Sequence, residues 1–246
     1  MYEGIAGVYG DVVGDLPYPT WARFAHDAWR SDEQPVRAVL DVCCGTGLLT
    51  AELRALGYAM TGTDGSPEML AEARALLGPD VPLSLAVLPQ LPSFLTSHGF
   101  DAATCTFDSL NYVPLPDLRA TLMAVAAQLR PGGWFVLDLH TEQMMRTIAA
   151  APVAIERSGA IDITMRSEVD LTIRSCTTRV TVTPDGAPAF TELHVQYFFT
   201  LAEIAGAAAA AGFTVVSLTD DYTDLPVDEQ AMRSTWVLRR DSVPGQ

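Results

Sequence analysis

Val39-Leu-Asp-Val-Cys-Cys-Gly-Thr-Gly-Leu48 decides the reading of this chain. Apolar or small residues around one acid make a buried strand, expected over Ala38–Val42. Gly45 and Gly47 follow, and without a Cβ they let the backbone turn sharply and approach a ligand closely. From Leu48 to Leu56 the apolar residues fall at helical spacing, so the amides of a helix start face that turn. A second strand, expected over Ala59–Thr63, ends on Asp64. An acid at that tip can accept hydrogen bonds from both hydroxyls of a ribose. A glycine turn alone says little. Set between strand and helix, with an acid ending the next strand, it describes a nucleotide-type cofactor site at the carboxyl ends of parallel strands.

The alternation continues outward. Ser66 suits an N-cap and Pro67 a first helical residue for a helix to Leu77. Strands are expected near Leu83–Val87 and Ala102–Phe107, then a helix over Asp117–Leu129 ended by Arg130-Pro-Gly-Gly133, then a strand over Trp134–Leu139. Strands separated by helices require parallel pairing. Upstream, a helix from Pro19 to about Arg30 puts Trp21, Phe24, Ala25 and Ala28 on one side. From about Val153 to Phe199 the period changes to two, with Pro184-Asp-Gly-Ala-Pro188 as a turn. That predicts three or four inserted antiparallel strands ahead of a helix over Leu201–Ala211. Phe213–Leu218 and Ser234–Leu238 then close the sheet. The expected architecture is α/β: a Rossmann-like, seven-stranded, mostly parallel sheet with helices on both faces, from residues 1–152 and 200–240. Residues 153–199 are expected to add an antiparallel β lid over the substrate.

Composition narrows the function. At 246 residues, 49% of them hydrophobic, the chain suits one large domain with an insertion. A net charge of -15 repels phosphate backbones and anionic membrane surfaces, so nucleic acid and membrane are poor partners. No apolar run is long enough to span a bilayer, and Met-Tyr-Glu-Gly-Ile lacks the marks of a signal peptide, so a cytoplasmic location is expected. Every basic side chain is Arg; without Lys, neither Schiff-base chemistry nor a P-loop is available. The four cysteines form no Cys-x-x-Cys pair and the four histidines are scattered, so no metal site is expected.

Several motifs resemble, in order, those of class I S-adenosylmethionine (SAM)-dependent methyltransferases. Asp41-Val-Cys-Cys-Gly45-Thr-Gly47 is similar to the family's glycine-rich motif and Gly62-Thr-Asp64-Gly-Ser66-Pro-Glu-Met69-Leu to its second. Phe107-Asp-Ser-Leu-Asn111-Tyr resembles the fourth-strand motif of small-molecule members, and Leu129-Arg-Pro-Gly-Gly133 the turn before strand five. The resemblance covers residues 37–140, and the stretch Tyr2 to Trp21 resembles a bacterial subgroup that includes methyltransferases of amino sugars and other secondary metabolites. It departs at Ala86-Val-Leu-Pro-Gln90, where many members carry an acid near the adenine.

The resemblance implies SAM as cofactor and gives each residue a role to test. Gly45, Gly47, Cys43 and Asp41 would meet the methionine portion, Asp41 at its ammonium; as an acid near a helix start, Asp41 is also favourable in itself. Asp64 and Gly65 would meet the ribose, with Met69, Val87 and Leu88 near the adenine; a core role for Met69 is the alternative. Gln90 could add a polar contact. Tyr9, Tyr18 and Trp21 would fold over the cofactor mouth, or pack helix against sheet. Phe107 and Asp108 end strand four where the sulfonium should lie, with Asn111 close by. His140, after strand five, would take a proton or orient the acceptor. His194 and Tyr197, on the last inserted strand, would bind substrate, whereas His26 and His98 look like surface residues.

The expected activity is methyl transfer to an amine or hydroxyl of a small molecule, with the oligomeric state open and a homo-oligomer among the options. An NAD-dependent oxidoreductase would share the glycine turn and the ribose acid, but Leu48-Leu49 follows Gly47 where that fingerprint needs room for a third glycine. A non-catalytic SAM-binding regulator is the other alternative.

Overall fold

The computed structural model describes residues 16–30, 32–92, 99–186 and 188–242. Helix α1, Tyr18–Trp29, leads into β1, Ala38–Val42, then α2, Leu48–Ala55, and β2, Ala59–Asp64. Helix α3, Pro67–Leu77, and β3, Leu83–Leu85, follow. Strand β4, Phe100–Cys105, runs through a 3-10 turn at Ser109–Tyr112 into α4, Leu115–Gln128, and β5, Leu129–His140. Helix α5, Glu142–Ala150, precedes β6, Val153–Ser158, β7, Ile161–Asp170, β8, Ser175–Pro184, and β9, Phe190–Tyr197. Helix α6, Leu201–Ala210, β10, Phe213–Asp220, and β11, Arg233–Arg240, complete the order.

Seven strands form one sheet in the order β10-β11-β5-β4-β1-β2-β3. The pairs β1–β2, β1–β4, β2–β3 and β4–β5 are parallel; β11 runs antiparallel to both β5 and β10. Side chains alternate across β1: Val39 packs with Trp21, Leu53 and Leu77, whereas Leu40 and Val42 pack with Leu122, Val125 and Ile204 on the other face. Helices α1, α2 and α3 therefore cover one face, and α4 and α6 the other. The Ser66 hydroxyl accepts from Met69 N at 3.2 Å and Pro67 starts α3. Thr200 and Glu203 form a capping box at α6.

Three details correct the sequence reading. Arg130-Pro-Gly-Gly133 lies inside β5 and makes no separate helix stop; the β4–β5 register slips between Phe100 and Ala102 to absorb the extra residues. Gly133 is required there, since a Cβ would stand 2.9 Å from Arg130 O and 3.1 Å from Asp101 O. Helix α5 was not foreseen. Thr141 caps it by accepting from Met144 N, and Met145 is buried against Cys176 and Phe198. His26 is half-buried, its Nδ1 2.7 Å from the Tyr58 hydroxyl; His98 lies outside the described residues.

Strands β6 to β9 form a separate four-stranded antiparallel sheet in that order. Ile161, Ile163, Val180 and Val182 on one face bury Met69 of α3. The insertion thus packs beside the carboxyl edge of the main sheet, where β1, β2 and β4 end.

Candidate active site

A cavity of about 520 Å³ opens at that edge. The glycine turn, the end of β2, residues 86–88, and Thr106, Phe107, Ser109, Tyr112 and Asp117 from the segment after β4 are among its lining. Asp41 sits at its floor, fully buried, with Oδ2 accepting from Thr50 Oγ1 at 2.5 Å and Oδ1 from Thr104 Oγ1 at 2.8 Å. Burial pushes its carboxyl up to about 6, against the pull of both hydroxyls. Asp64 Oδ2 accepts from Gly45 N and Oδ1 from Ser66 N, each at 2.9 Å, so the acid spans the glycine turn and the start of α3. Each oxygen keeps a lone pair for a ligand hydroxyl. Burial raises Asp64 as well. The two glycines have different tasks. Gly45, at φ +54°, has open space where a Cβ would point, and lines the cavity. Gly47, at φ +85°, does not line it; a Cβ there would meet Leu77 Cδ1 at 2.8 Å, so this glycine serves the approach of α2 to α3.

The other end of the cavity is built by the loop after β4. Phe107 and Asp108 adopt the left-handed region at φ +57° and +47°, unusual for residues with a Cβ. Asp138 on β5 holds them: its carboxylate accepts from Phe107 N at 2.7 Å, Asp108 N at 2.6 Å and the Tyr222 hydroxyl. Arg233 places Nη2 3.3 Å from Asp108 Oδ1 and Nε 3.4 Å from Asp138 Oδ1, and its guanidinium lies beside both the Trp21 and the Phe107 ring, 5.6 and 5.5 Å from their centres. Burial raises the carboxyls of Asp108, to about 6, and Asp138, while Arg233 opposes the shift. Beyond the turn, Tyr112 faces the cavity and its hydroxyl lies 3.1 Å from His194 Nδ1. Asp117, in the first turn of α4, completes the rim.

Known proteins agree with this geometry. Residues 39–133 match the family described as a methyltransferase domain. YqeM of Bacillus subtilis (strain 168), a provisionally named methyltransferase, is 26% identical over 239 residues, 95% of this chain and 94% of its own. The structure is similar to an S-adenosylmethionine-dependent methyltransferase from Clostridium acetobutylicum ATCC 824, with a TM-score of 0.84 and 21% identity, covering 98% of this chain and 99% of that one. A SAM-bound amino pentose methyltransferase from Micromonospora echinaspora, involved in calicheamicin biosynthesis, superposes with a TM-score of 0.70 at 23% identity, covering 95% of each chain. Residues 39–133 form a methyltransferase domain, and the fold is the one that SAM-dependent methyltransferases share. Its cavity fits the cofactor: Asp41, Asp64 and Asp117 line it, and no Arg or His does so among the described residues, which suits a ligand carrying a sulfonium and an ammonium.

Around this cavity the structure divides the residues singled out by sequence. Tyr18, Asp41, Cys43, Gly45, Asp64, Gly65, Met69, Val87, Leu88 and Phe107 line the cavity. Met69 does so while packing under the inserted sheet, so it is a core residue with one side on the cavity. Tyr18 is buried, and burial pushes its phenol up to about 12. Tyr9 lies outside the described residues. Trp21 does not reach the cavity; it stacks on Tyr222 at 5.3 Å between ring centres, inside the helix-to-sheet core. Gln90 is exposed and away from the lining.

The expected catalytic set does not converge on the cavity. Asn111 is fully buried; its Nδ2 donates to Tyr197 O at 2.7 Å and its Oδ1 accepts from His140 N at 2.9 Å, so it ties β5 to β9. His140 lines no part of the cavity. Its Nε2 is 3.5 Å from Asp108 Oδ1, and burial, reinforced by Arg233, lowers the imidazole to about 4, so it is neutral at pH 7. Asp108 is taken up by Arg233 and by Gln196 Nε2 at 2.7 Å. His194 and Tyr197 do not line the cavity either; His194 reaches it through Tyr112.

Sequence reasoning missed Thr50, Thr104, Tyr112, Asp117, Asp138, Tyr222 and Arg233. Asp138 had a signal: one acid between Leu137 and Leu139 in an apolar strand must have partners inside, as Asp41 does in β1. Tyr112 closes the Phe107-Asp-Ser-Leu-Asn111-Tyr motif, which was its one local signal, whereas nothing local marks Arg233, whose partners are far away in the chain.

Proposed function

We propose that this enzyme moves the methyl group of SAM to an amine of a small, polar, cationic molecule. The observation that carries the reading is the cavity's charge. With Asp41 and Asp64 assigned to the cofactor, Asp117 is left for the acceptor, with Ser109 and Tyr112 in the same lining and no cationic side chain in its described part. A carboxylate there attracts an ammonium or orients hydroxyls. The architecture shared with an amino pentose methyltransferase supports the same acceptor class.

SAM supplies a methyl group on a sulfonium. In this reading the Gly45 turn and Asp41 hold its methionine portion, Asp64 its ribose, and Met69, Val87 and Leu88 enclose the adenine. The protein's remaining task is to align a lone pair with the sulfur–methyl bond and exclude water, and orientation of this kind contributes roughly 7–11 kcal/mol in favourable systems. The inserted sheet acts as the lid, working through Met69 and Tyr112 without lining the cavity itself. The test is a mass-spectrometric screen of SAM with paired acceptors that differ only in amine against hydroxyl. Transfer to the amine members supports the reading; transfer only to hydroxyl or carboxylate acceptors rejects it.

A further inference from the structure

We propose that Tyr112, His194 and Glu192 form a proton relay that leads from the acceptor end of the cavity into the inserted sheet, with Tyr112 the catalytic residue. The inference rests on the amine reading above and adds the group that readies the acceptor. An amine arriving as an ammonium has no lone pair to attack with, so one proton must leave first. Tyr112 lines the cavity, and its hydroxyl stands 3.1 Å from His194 Nδ1, the rings 5.8 Å apart and inclined by 70°. His194 Nε2 faces Glu192 Oε2 at 3.5 Å. Glu192 and His194 sit two residues apart on β9, hence on one face of the strand, and Gln196 on the same face donates to Asp108. The same strand thus delivers polar side chains at successive inward positions to the loop that builds the acceptor end. The one that reaches a cavity-lining hydroxyl is an imidazole backed by a carboxylate, an arrangement suited to accepting a proton. Burial holds His194 below the ordinary imidazole value, so its neutral, accepting form dominates at pH 7.

The step balances. The acceptor's N–H proton passes to the Tyr112 oxygen as the phenol proton passes to His194 Nδ1, leaving an imidazolium opposite Glu192. The freed nitrogen lone pair forms the bond to the methyl carbon. Sulfur keeps the electron pair of the bond that breaks, which neutralises the sulfonium. His140, buried and away from the lining, has no place in this path.

The test uses the full chain labelled with ¹⁵N-histidine and saturated with S-adenosylhomocysteine, alongside turnover with glucosamine and glucose as paired probes. The relay requires His194 as the Nε2–H tautomer with Nδ1 accepting, and Tyr112→Phe should shift that Nδ1 resonance towards the value of a free nitrogen. In turnover, Tyr112→Phe should lower kcat at least thirty-fold while SAM affinity by calorimetry stays within two-fold. His194→Gln can still accept the phenol hydrogen bond but cannot take the proton, so it should be as slow as Tyr112→Phe. An Nδ1–H tautomer overturns the relay. So does kcat within three-fold of wild type in either variant, which would leave His194 a support for Tyr112 at most. If only the hydroxyl probe is methylated, the amine reading fails by itself, and the same variants judge the relay on that probe.

Discussion

The two ends of the cavity are built in opposite ways. At the end proposed for the cofactor, most residues that meet are near in sequence: Asp64 bonds Gly45, nineteen positions away, and Ser66, two away, and Asp41 bonds Thr50, nine away, with Thr104, 63 away, the exception. One strand–turn–helix–strand unit contains most of that wall. At the acceptor end, Asp108 is held by Asp138 at a separation of 30, Gln196 at 88 and Arg233 at 125, and Tyr112 meets His194 at 82. A SAM pocket assembled from local backbone turns can stay constant while the acceptor wall is rebuilt by changing distant strands. The comparison predicts that substitutions at the two ends break different properties of the enzyme.

The largest effect is expected at Asp138. Asp138→Ala strands two backbone amides and the Tyr222 hydroxyl, and takes from the half-buried Arg233 guanidinium one of its three carboxylate partners. Breaking a buried pair by removing one partner costs about 3–5 kcal/mol, so thermal unfolding should drop by roughly 10 °C or more for a chain of this size. A melting temperature within two degrees of wild type would show that Asp138 does not organise the acceptor loop. Asn111→Ala should come next. It leaves His140 N–H and Tyr197 C=O without their partner, each costing about 1–3 kcal/mol, so stability should fall while SAM affinity in the folded protein stays unchanged. Weakened SAM binding there would erase the division between the ends.

A pH titration probes the cofactor end. Burial raises Asp41 from 3.8 to about 6. The folded protein therefore holds that proton where the unfolded chain has lost it; the associated stability is fully present below pH 3.8 and is lost as pH rises through about 6. In the proposed site the ammonium of SAM pairs with the Asp41 carboxylate, so cofactor binding has the opposite sign. SAM should bind about tenfold more weakly at pH 5 than at pH 7. Constant affinity across that range would remove Asp41 from the ammonium site. The smallest effect is expected at His140. His140→Ala should keep kcat within about three-fold at pH 7, since a neutral, buried imidazole outside the lining has little to contribute. A collapse of kcat with SAM affinity intact would return His140 to the mechanism.

The same contrast explains what the sequence revealed. The β1 turn, the Asp64 strand end and the Ser66–Pro67 cap were legible because short motifs specify them through φ, capping and periodicity. The period-two stretch announced the inserted sheet for the same reason. The acceptor end was not legible, because a buried acid such as Asp138 declares only that partners exist. Whether Asn111 is a catalytic amide or a tether depends on Tyr197, 86 residues later. Trp21 was ambiguous between mouth and core until Tyr222 was placed against it.

The most direct test compares Asp64→Ala with Asp117→Asn by calorimetric titration of SAM into the folded proteins. Hydrogen bonds to a charged group are worth about 1.5–3 kcal/mol, so Asp64→Ala should bind SAM at least about ten-fold more weakly. Asp117→Asn should bind SAM within two-fold of wild type and lose affinity only for the acceptor. Equal SAM affinity in wild type and Asp64→Ala, or an equal loss in both variants, would contradict a cavity with separately built cofactor and acceptor ends.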